Sequence, residues 1–440
     1  MTDLRALDIA ELAERYRRHR CDPVAVVNTY LAAIAAQDDA LRSFITVADR
    51  TAREEAEASR GRWEENRPLG MLDGIPIAIK DNIDVAGLPC TAGVAAFRER
   101  VPRQDAAVVT SLRQQGAVML GKLNMHEGAF GATTDNPVYG RCINPVRLGY
   151  TPGGSSGGSG AAVAAGLCVA ALGTDTMGSV RVPAAYCGVF GFKPSNDAVS
   201  TQGVIPLSST LDSVGVLARL ATDMARMAAA LLRPSAPVAA VSSTPLAGVR
   251  VGVPQQTSLM DVQPSIATTY DRFCCFLSTV GMLIVPLDLP FWHPGKARRA
   301  GLLVTEAEAA TFYTDHLGPD LPGLSPGFAA MLRYPAQAGS ARVAAAYEAI
   351  EAVRRGCLDS FDEVDLIVTP TTPQTSFPHD GPTPSDQADC TALANIARAP
   401  AFSLPFGADP LPIGMQLMAA PGKDEFLLNV AVALEQALRN

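Results

Sequence analysis

The chain has 440 residues, 48% of them hydrophobic and 18% charged, with a formal net charge of −8. That composition provides ample core, and the dispersed basic residues leave no footprint for nucleic acid. The most apolar run, Ala161 to Gly173, has 13 residues, short of the roughly 20 that a membrane-crossing helix needs.

The first residues, MTDLRALDIAELAERYRR, are charged and amphipathic and lack the apolar centre of a signal peptide. Nine cysteines are scattered without metal-ligand or disulfide-framework spacing. They read as free thiols of a cytoplasmic protein. No metal or organic cofactor is called for, and neither a membrane nor a nucleic acid is expected as a partner.

In chain order, Ile9, Leu12 and Tyr16 recur at helical spacing, and Val24, Val27, Leu31 and Ile34 do so again after Asp22-Pro23, a helix start with proline in its first turn. Residues 1–65 are therefore expected to be an N-terminal helical segment. From Leu72 to Lys80 the period changes to two, with Ile75, Ile77 and Ile79 on one face and Gly74, Pro76, Ala78 and Lys80 on the other. Lys80 is thus placed on a strand end among small neighbours, where a bulky group can approach its amine. A helix over 106–115 and a strand over 117–120 follow, and the small-residue stretch SGGSGAAVAAGLCVAALG reads as a helix. Residues 233–247 read as a surface connection, followed by a strand at 249–253 and helices at 267–280, 302–316 and 341–361. Leu366 to Val368 is expected to be a short buried strand, and 369–386, rich in proline and threonine, a loop outside the core. The alternation predicts an α/β fold with helices on both faces of a sheet.

The run GGSSGGSG admits several readings. A flexible linker conflicts with its structured flanks, and a phosphate loop would end in GK[ST]. Gly153 to Gly157, GGSSG, fits the nucleophile-elbow pattern GxSxG with Ser155 at its centre. That reading requires a later histidine, and only His293, His316 and His379 follow; the upstream NPVRLGYTPGG is loop-like rather than a strand. The remaining reading rests on GTDTMGSVRVP, a turn that can aim several backbone N–H groups at one oxygen, as a tetrahedral oxyanion requires. On it, Ser179 is the nucleophile.

GIPIAIKDNIDV, PGGSSGGSGAAVAAG, GTDTMGSVRVPAAYCGVFGFKPS and the C-terminal LPIGMQL, in that order, resemble the amidase signature family over most of the chain. The resemblance implies a mixed, largely parallel central sheet covered by helices on both faces, in a single catalytic domain over 66–440. It implies Lys80 as base, Ser155 as the bridging serine after a cis peptide at Gly154, and Ser179 as acyl nucleophile. The oxyanion hole it implies is formed by the N–H groups of Thr176, Met177, Gly178 and Ser179.

The physics of such a triad stands beside the resemblance. A serine hydroxyl attacks only if a base takes its proton. Lysine serves only when neutral, and half-deprotonation near pH 8 costs about 3.3 kcal/mol, which burial beside Ile77, Ile79 and the glycine loops can impose. Ser155 would relay the proton from Ser179 to Lys80 and return it to the leaving amine. Ser156 and Ser159 are expected to be hydrogen-bonding supports, and Asp175 and Arg181 an ion pair holding the nucleophile loop. Asp81 is expected to face away from Lys80, His126 to be structural, and Cys168 and Cys187 to be small core residues.

Met177 departs from the family pattern, which has glycine there. Its side chain either narrows the acyl pocket or weakens the oxyanion hole, and a weakly active or non-catalytic homologue stays open on that account. The resemblance also places the acidic anchor of the glutaminase-type amidotransferase subunit on Ala388, which argues against glutamine, and NMHEGAFGATTDN is closer to the version in hydrolases of small amides. The expected function is hydrolysis of a small amide to acid and ammonia through a Ser179 acyl-enzyme. The alternatives are a ureido-type hydrolase of allophanate or carboxybiuret, and the glutaminase-type subunit of an amidotransferase. The expected partner is a small-molecule amide, with a homodimer or a small accessory subunit left open.

Overall fold

The computed structural model describes residues 3–232, 244–256, 260–408 and 410–439, so most of the surface connection expected at 233–247 lies outside the described residues. In chain order the strands are β1 (Phe44–Val47), β2 (Pro76–Lys80), β3 (Val118–Leu123), β4 (Asp135–Asn136), β5 (Gly140–Arg141), β6 (Ala170–Asp175), β7 (Phe190–Lys193), β8 (Ser213–Ala218), β9 (Arg250–Pro254), β10 (Leu283–Leu287), β11 (Leu366–Pro370), β12 (Ala401–Ala408) and β13 (Pro412–Ala419). Eleven of them form one mixed sheet in the order β1-β3-β2-β6-β8-β7-β12-β13-β11-β9-β10, while β4 pairs with β5. Pairing is parallel in two blocks, β3-β2-β6 and β10-β9-β11. Between these blocks, from β6 to β11, and at the β1 edge it is antiparallel. Every residue of β2, β3, β6, β7, β8 and β11 is buried, which requires cover on both faces of the sheet.

The N-terminal periodicities become the helices Ile9–Arg17 and Pro23–Leu41. Asp8 and Glu11 close a capping box on the first, and the Asp22 carboxylate accepts the Ala25 N–H at the start of the second, with Pro23 in its first turn. Residues 1–65 are not helical throughout, because β1 falls within them and joins the sheet edge. Their buried side chains share one core with Ile77, Ile79, Leu120 and Leu172.

Two further expectations change. The small-residue stretch is a helix only over Gly157–Ala164; the chain turns at Gly166, φ +66°, and continues as β6. A strand buried on both faces loses the alternation that marks strands in sequence, so its alanines and leucines read as helix. The helix lies so close to the end of β3 that a Cβ on Gly158 would come within 2.3 Å of the Asn124 carbonyl oxygen. The segment 369–386 also differs, since Thr371, Thr372, Gln374 and Ser376 are buried. Their polar groups are matched inside: Thr371 with Ser403 at 2.8 Å, Gln374 Nε2 donating to Tyr186 Oη at 3.0 Å, and Ser376 Oγ donating to the Thr151 carbonyl at 2.6 Å.

Candidate active site

Lys80 ends β2, the third strand from the β1 edge of the sheet, and is fully buried. Its Nζ lies 2.8 Å from Ser155 Oγ and 2.7 Å from Thr174 Oγ1. Burial pushes its pKa down to about 7, while the Asp212 and Asp175 charges act in the opposite direction. Neutral, the amine offers a lone pair to the Ser155 hydroxyl; charged, it donates to both oxygens. Asp81, next in sequence, is taken up by Lys122 at 3.1 Å in a buried pair, so it does not neutralise Lys80.

Ser155 follows the cis Gly154–Ser155 peptide and is buried. Its loop is pinned from the side by Thr134, whose Oγ1 donates to the Gly153 carbonyl at 2.8 Å, and by the His126 N–H, which donates to the Ser155 carbonyl at 3.0 Å. Ser156 Oγ donates to the Thr174 carbonyl at 3.1 Å and Ser159 Oγ to the Leu172 carbonyl at 3.0 Å, supporting contacts between the serine loop and β6.

The second loop leaves the end of β6. Its Asp175 carboxylate accepts from the N–H groups of Gly178 at 2.7 Å and Val180 at 3.1 Å, and from Arg181 Nη2 at 2.9 Å. Burial alone would raise this carboxyl; the Arg181 guanidinium overrides it and holds it well below the usual carboxylate range. Arg181 also donates to the Thr391 carbonyl, Gln416 Oε1 and Asn395 Oδ1 at 2.9, 2.5 and 2.6 Å, so the expected ion pair is part of a larger buried network. One expectation is corrected here: the Gly178 N–H is committed to Asp175. The N–H groups of Thr176, Met177 and Ser179 have no acceptor among the described residues, because the Asp175 side chain closes the turn at position 178 and leaves its neighbours free. Ser179 is the partly exposed residue of a loop otherwise buried from Thr174 to Val182, and its carbonyl accepts the Ser156 N–H at 3.1 Å, joining the two serine loops.

Gly154, Thr176, Met177, Gly178 and Ser179 line one side of a cavity of about 350 Å³, at the small end of ligand sites. Its other walls include Phe130, Leu302 and Met331, Glu306 and Arg298 from the helix Pro294–Leu317, and Gln387 and Ala388 from the segment after β11. Among the described residues no histidine lines it. His379 Nε2 instead sits 2.8 Å from the Cys142 carbonyl, His126 contacts Thr133 with its pKa pushed down to about 4 by burial, and His293 and His316 are exposed. The elbow reading of Ser155 has no histidine to complete it.

The family model described as Amidase matches residues 25–428. The chain belongs to the amidase family. Its relatives include a glutamyl-tRNA(Gln) amidotransferase subunit from Roseiflexus sp. (strain RS-1), 33% identical over 476 residues that cover 99% of this chain and 97% of that protein. Among solved structures, the inhibitor-bound complex from a study of a vestigial protein complex and the origins of an s-triazine catabolic enzyme superposes with a TM-score of 0.90 at 30% identity, covering 98% of each chain. The peptide amidase of Stenotrophomonas maltophilia superposes with a TM-score of 0.84 at 28% identity, covering 99% of this chain and 97% of that one.

Within this amidase-family site, sequence reasoning missed Thr174, Thr391, Asn395 and Gln416. Thr391 Oγ1 donates to the Met177 carbonyl at 2.6 Å, and Asn395 Nδ2 donates to the Asp175 carbonyl at 3.0 Å. For Asn395 and Gln416 the available signal was a polar residue inside the apolar stretches ALANIARAPAFSLP and LPIGMQL, since a buried amide needs a partner; Thr174 and Thr391 lie outside those stretches.

Proposed function

We propose that this amidase-family member cleaves the C–N bond of a small amide through an acyl-enzyme on Ser179, with Lys80 as base and Ser155 as proton relay. The observation that carries the reading is the contact of a fully buried Lys80, its pKa near 7, with Ser155 Oγ at 2.8 Å. Ser155 passes the Ser179 proton to the neutral amine as Ser179 attacks the carbonyl carbon. The free N–H groups of Thr176, Met177 and Ser179 then face the oxygen as it becomes negative. Lys80 returns the proton through Ser155 to the leaving nitrogen, and water or another acceptor takes the acyl group from Ser179.

Water as acceptor makes the protein a free-standing amidase. In favour of this, Ala388 lines the cavity at the place where the resemblance puts the acidic anchor of the glutaminase-type proteins. A second reading, a glutaminase-type subunit working with partner chains, is favoured by 33% identity to the Roseiflexus amidotransferase protein over 99% of the chain.

A fluorophosphonate probe followed by mass spectrometry tests the chemistry: label on Ser179 is expected, label on Ser155 overturns the assignment, and no label points to a non-catalytic homologue. Ammonia release across aliphatic, aryl and ureido amides and glutamine separates the two readings. Turnover of simple amides by the chain alone supports the hydrolase, and turnover confined to glutamine supports the amidotransferase role.

A further inference from the structure

The cavity wall holds a carboxylate for which the acyl-transfer chemistry has no use. Glu306, on the helix Pro294–Leu317, lines the cavity half-buried and makes no hydrogen bond or ion pair with the described residues. Burial alone pushes its carboxyl up to about 7. Glu308, two residues on, is fully engaged: its carboxylate accepts from Ser208 Oγ and Thr210 Oγ1 at 2.5 Å and from Tyr347 Oη at 2.9 Å. The same helix thus carries one structural glutamate and one idle one.

Arg298 is the other charged residue of the cavity lining. It sits eight residues earlier, roughly 12 Å along the helix axis, and its Nε donates to Asp389 Oδ1 at 2.5 Å. Its charge is therefore matched by the protein and that of Glu306 is not. An unmatched carboxylate beside Leu302 and Met331 repels anions and gains most from a cationic hydrogen-bond donor, because partial exclusion of water strengthens such a contact. With about 350 Å³ available, a ligand whose carbonyl is at Ser179 is small, and its far end lies within the same walls.

We propose that Glu306 recognises a protonated amine on the acyl part of the substrate, so that the preferred substrates are small amides with a cationic far end. The proposal rests on the Ser179 acyl-enzyme reading for the placement of the amide. It adds a specificity residue that touches substrate away from the reacting atoms.

Binding to Ser179→Ala protein, measured by calorimetry, tests it without turnover, using ω-aminoalkanamides against n-alkanamides of matched length. The amino compounds are expected to bind about tenfold or more tightly than their neutral partners. Glu306→Gln in the same background brings that ratio close to one, and Glu306→Asp keeps part of it. Since Glu306 has no partner among the described residues, its replacement leaves the fold intact, which an unchanged melting temperature checks. A ratio that Glu306→Gln does not move overturns the proposal, as does tightest binding by an amide ending in a carboxylate, which points to Arg298. Fluorophosphonate labelling of wild-type Ser179 separates the two levels. Labelling without an ammonium preference sinks the Glu306 proposal alone, and an ammonium preference without labelling sinks the acyl-enzyme reading and leaves a cation-binding cavity.

Discussion

The side chains of Lys80 and Ser155, 75 residues apart in sequence, meet at 2.8 Å at the end of β2, both buried. The relationship sets a pH dependence. Lys80 can accept a proton only when neutral, and burial puts its midpoint at about 7. Below that pH the amine is charged and the rate falls about tenfold per unit; above it the rate reaches a plateau. Initial rates of ammonia release between about pH 5.5 and pH 9 are expected to show this single rising limb in kcat/KM, and a maximum on the acid side contradicts Lys80 as base. Lys80→Ala is expected to lower kcat by on the order of 10²- to 10⁴-fold, while His379→Ala, whose ring only meets the Cys142 carbonyl, leaves it nearly unchanged.

Thr174 holds the same amine. Its Oγ1 accepts from Lys80 at 2.7 Å, a contact that favours the charged lysine, and from Asn82 Nδ2 at 3.2 Å, which fixes the threonine in place. Thr174→Val keeps the shape and removes the acceptor. The ammonium loses a partner, so the Lys80 midpoint moves down and the rising limb shifts to lower pH. The plateau kcat is expected to fall roughly tenfold because the base is less well placed, and Thr174→Ser restores both. A fall in rate with no shift of the limb would mean that Thr174 matters for packing alone.

The parts of this site that the sequence announces are the local ones. Lys80 is legible because the period-two run before it marks a strand end, and the Asp22-Pro23 helix start because capping is decided within four residues. Thr174, Thr391, Asn395 and Gln416 are not, since the site residues they hold, Lys80, Met177, Asp175 and Arg181, lie 94 to 235 residues away from them and only the folded sheet brings β6, β13 and the short helix Ala392–Ile396 together. Gly178 shows the same limit at short range. Glycine-rich turns advertise available N–H groups, but which of them a neighbouring carboxylate captures depends on the turn's geometry, and Asp175 takes the one at 178. The segment after β11 looks like surface loop because it is polar and rich in proline, yet its hydroxyl and amide groups pair inside, and its later part walls the cavity.

Arg181 and Asp175 are both fully buried and bonded to each other. Removing one charge strands the other. Arg181→Leu leaves the Asp175 carboxylate without its counter-ion and Gln416 and Asn395 without a donor, and is expected to destabilise the protein by about 3–5 kcal/mol. Chemical denaturation followed by circular dichroism measures this. A loss under about 1 kcal/mol would show that Lys193, whose charge also acts on Asp175, or the Gly178 and Val180 N–H groups suffice to hold the carboxylate.

Met177 stands where the family pattern has glycine, and the structure separates the two effects expected of it. Among the described residues with left-handed φ, Gly178 is present at +128° and Met177 is absent. The position that needs glycine thus still has it, and the methionine brings no backbone strain. Its side chain packs with Leu211 and Ile396 against the helix Pro294–Leu317, where a Cβ on Gly301 would come within 2.8 Å of the Met177 sulfur. Met177 therefore acts as wall, between the turn after β6 and the helix that carries Glu306. Met177→Ala is expected to cost about 2–3 kcal/mol in stability through the space it leaves. In activity, kcat/KM for bulky acyl groups rises relative to small ones by about tenfold. Steady-state rates on a graded series of amides check this. An equal change in kcat for every member of the series would place the effect on the N–H groups of the turn instead of on the wall.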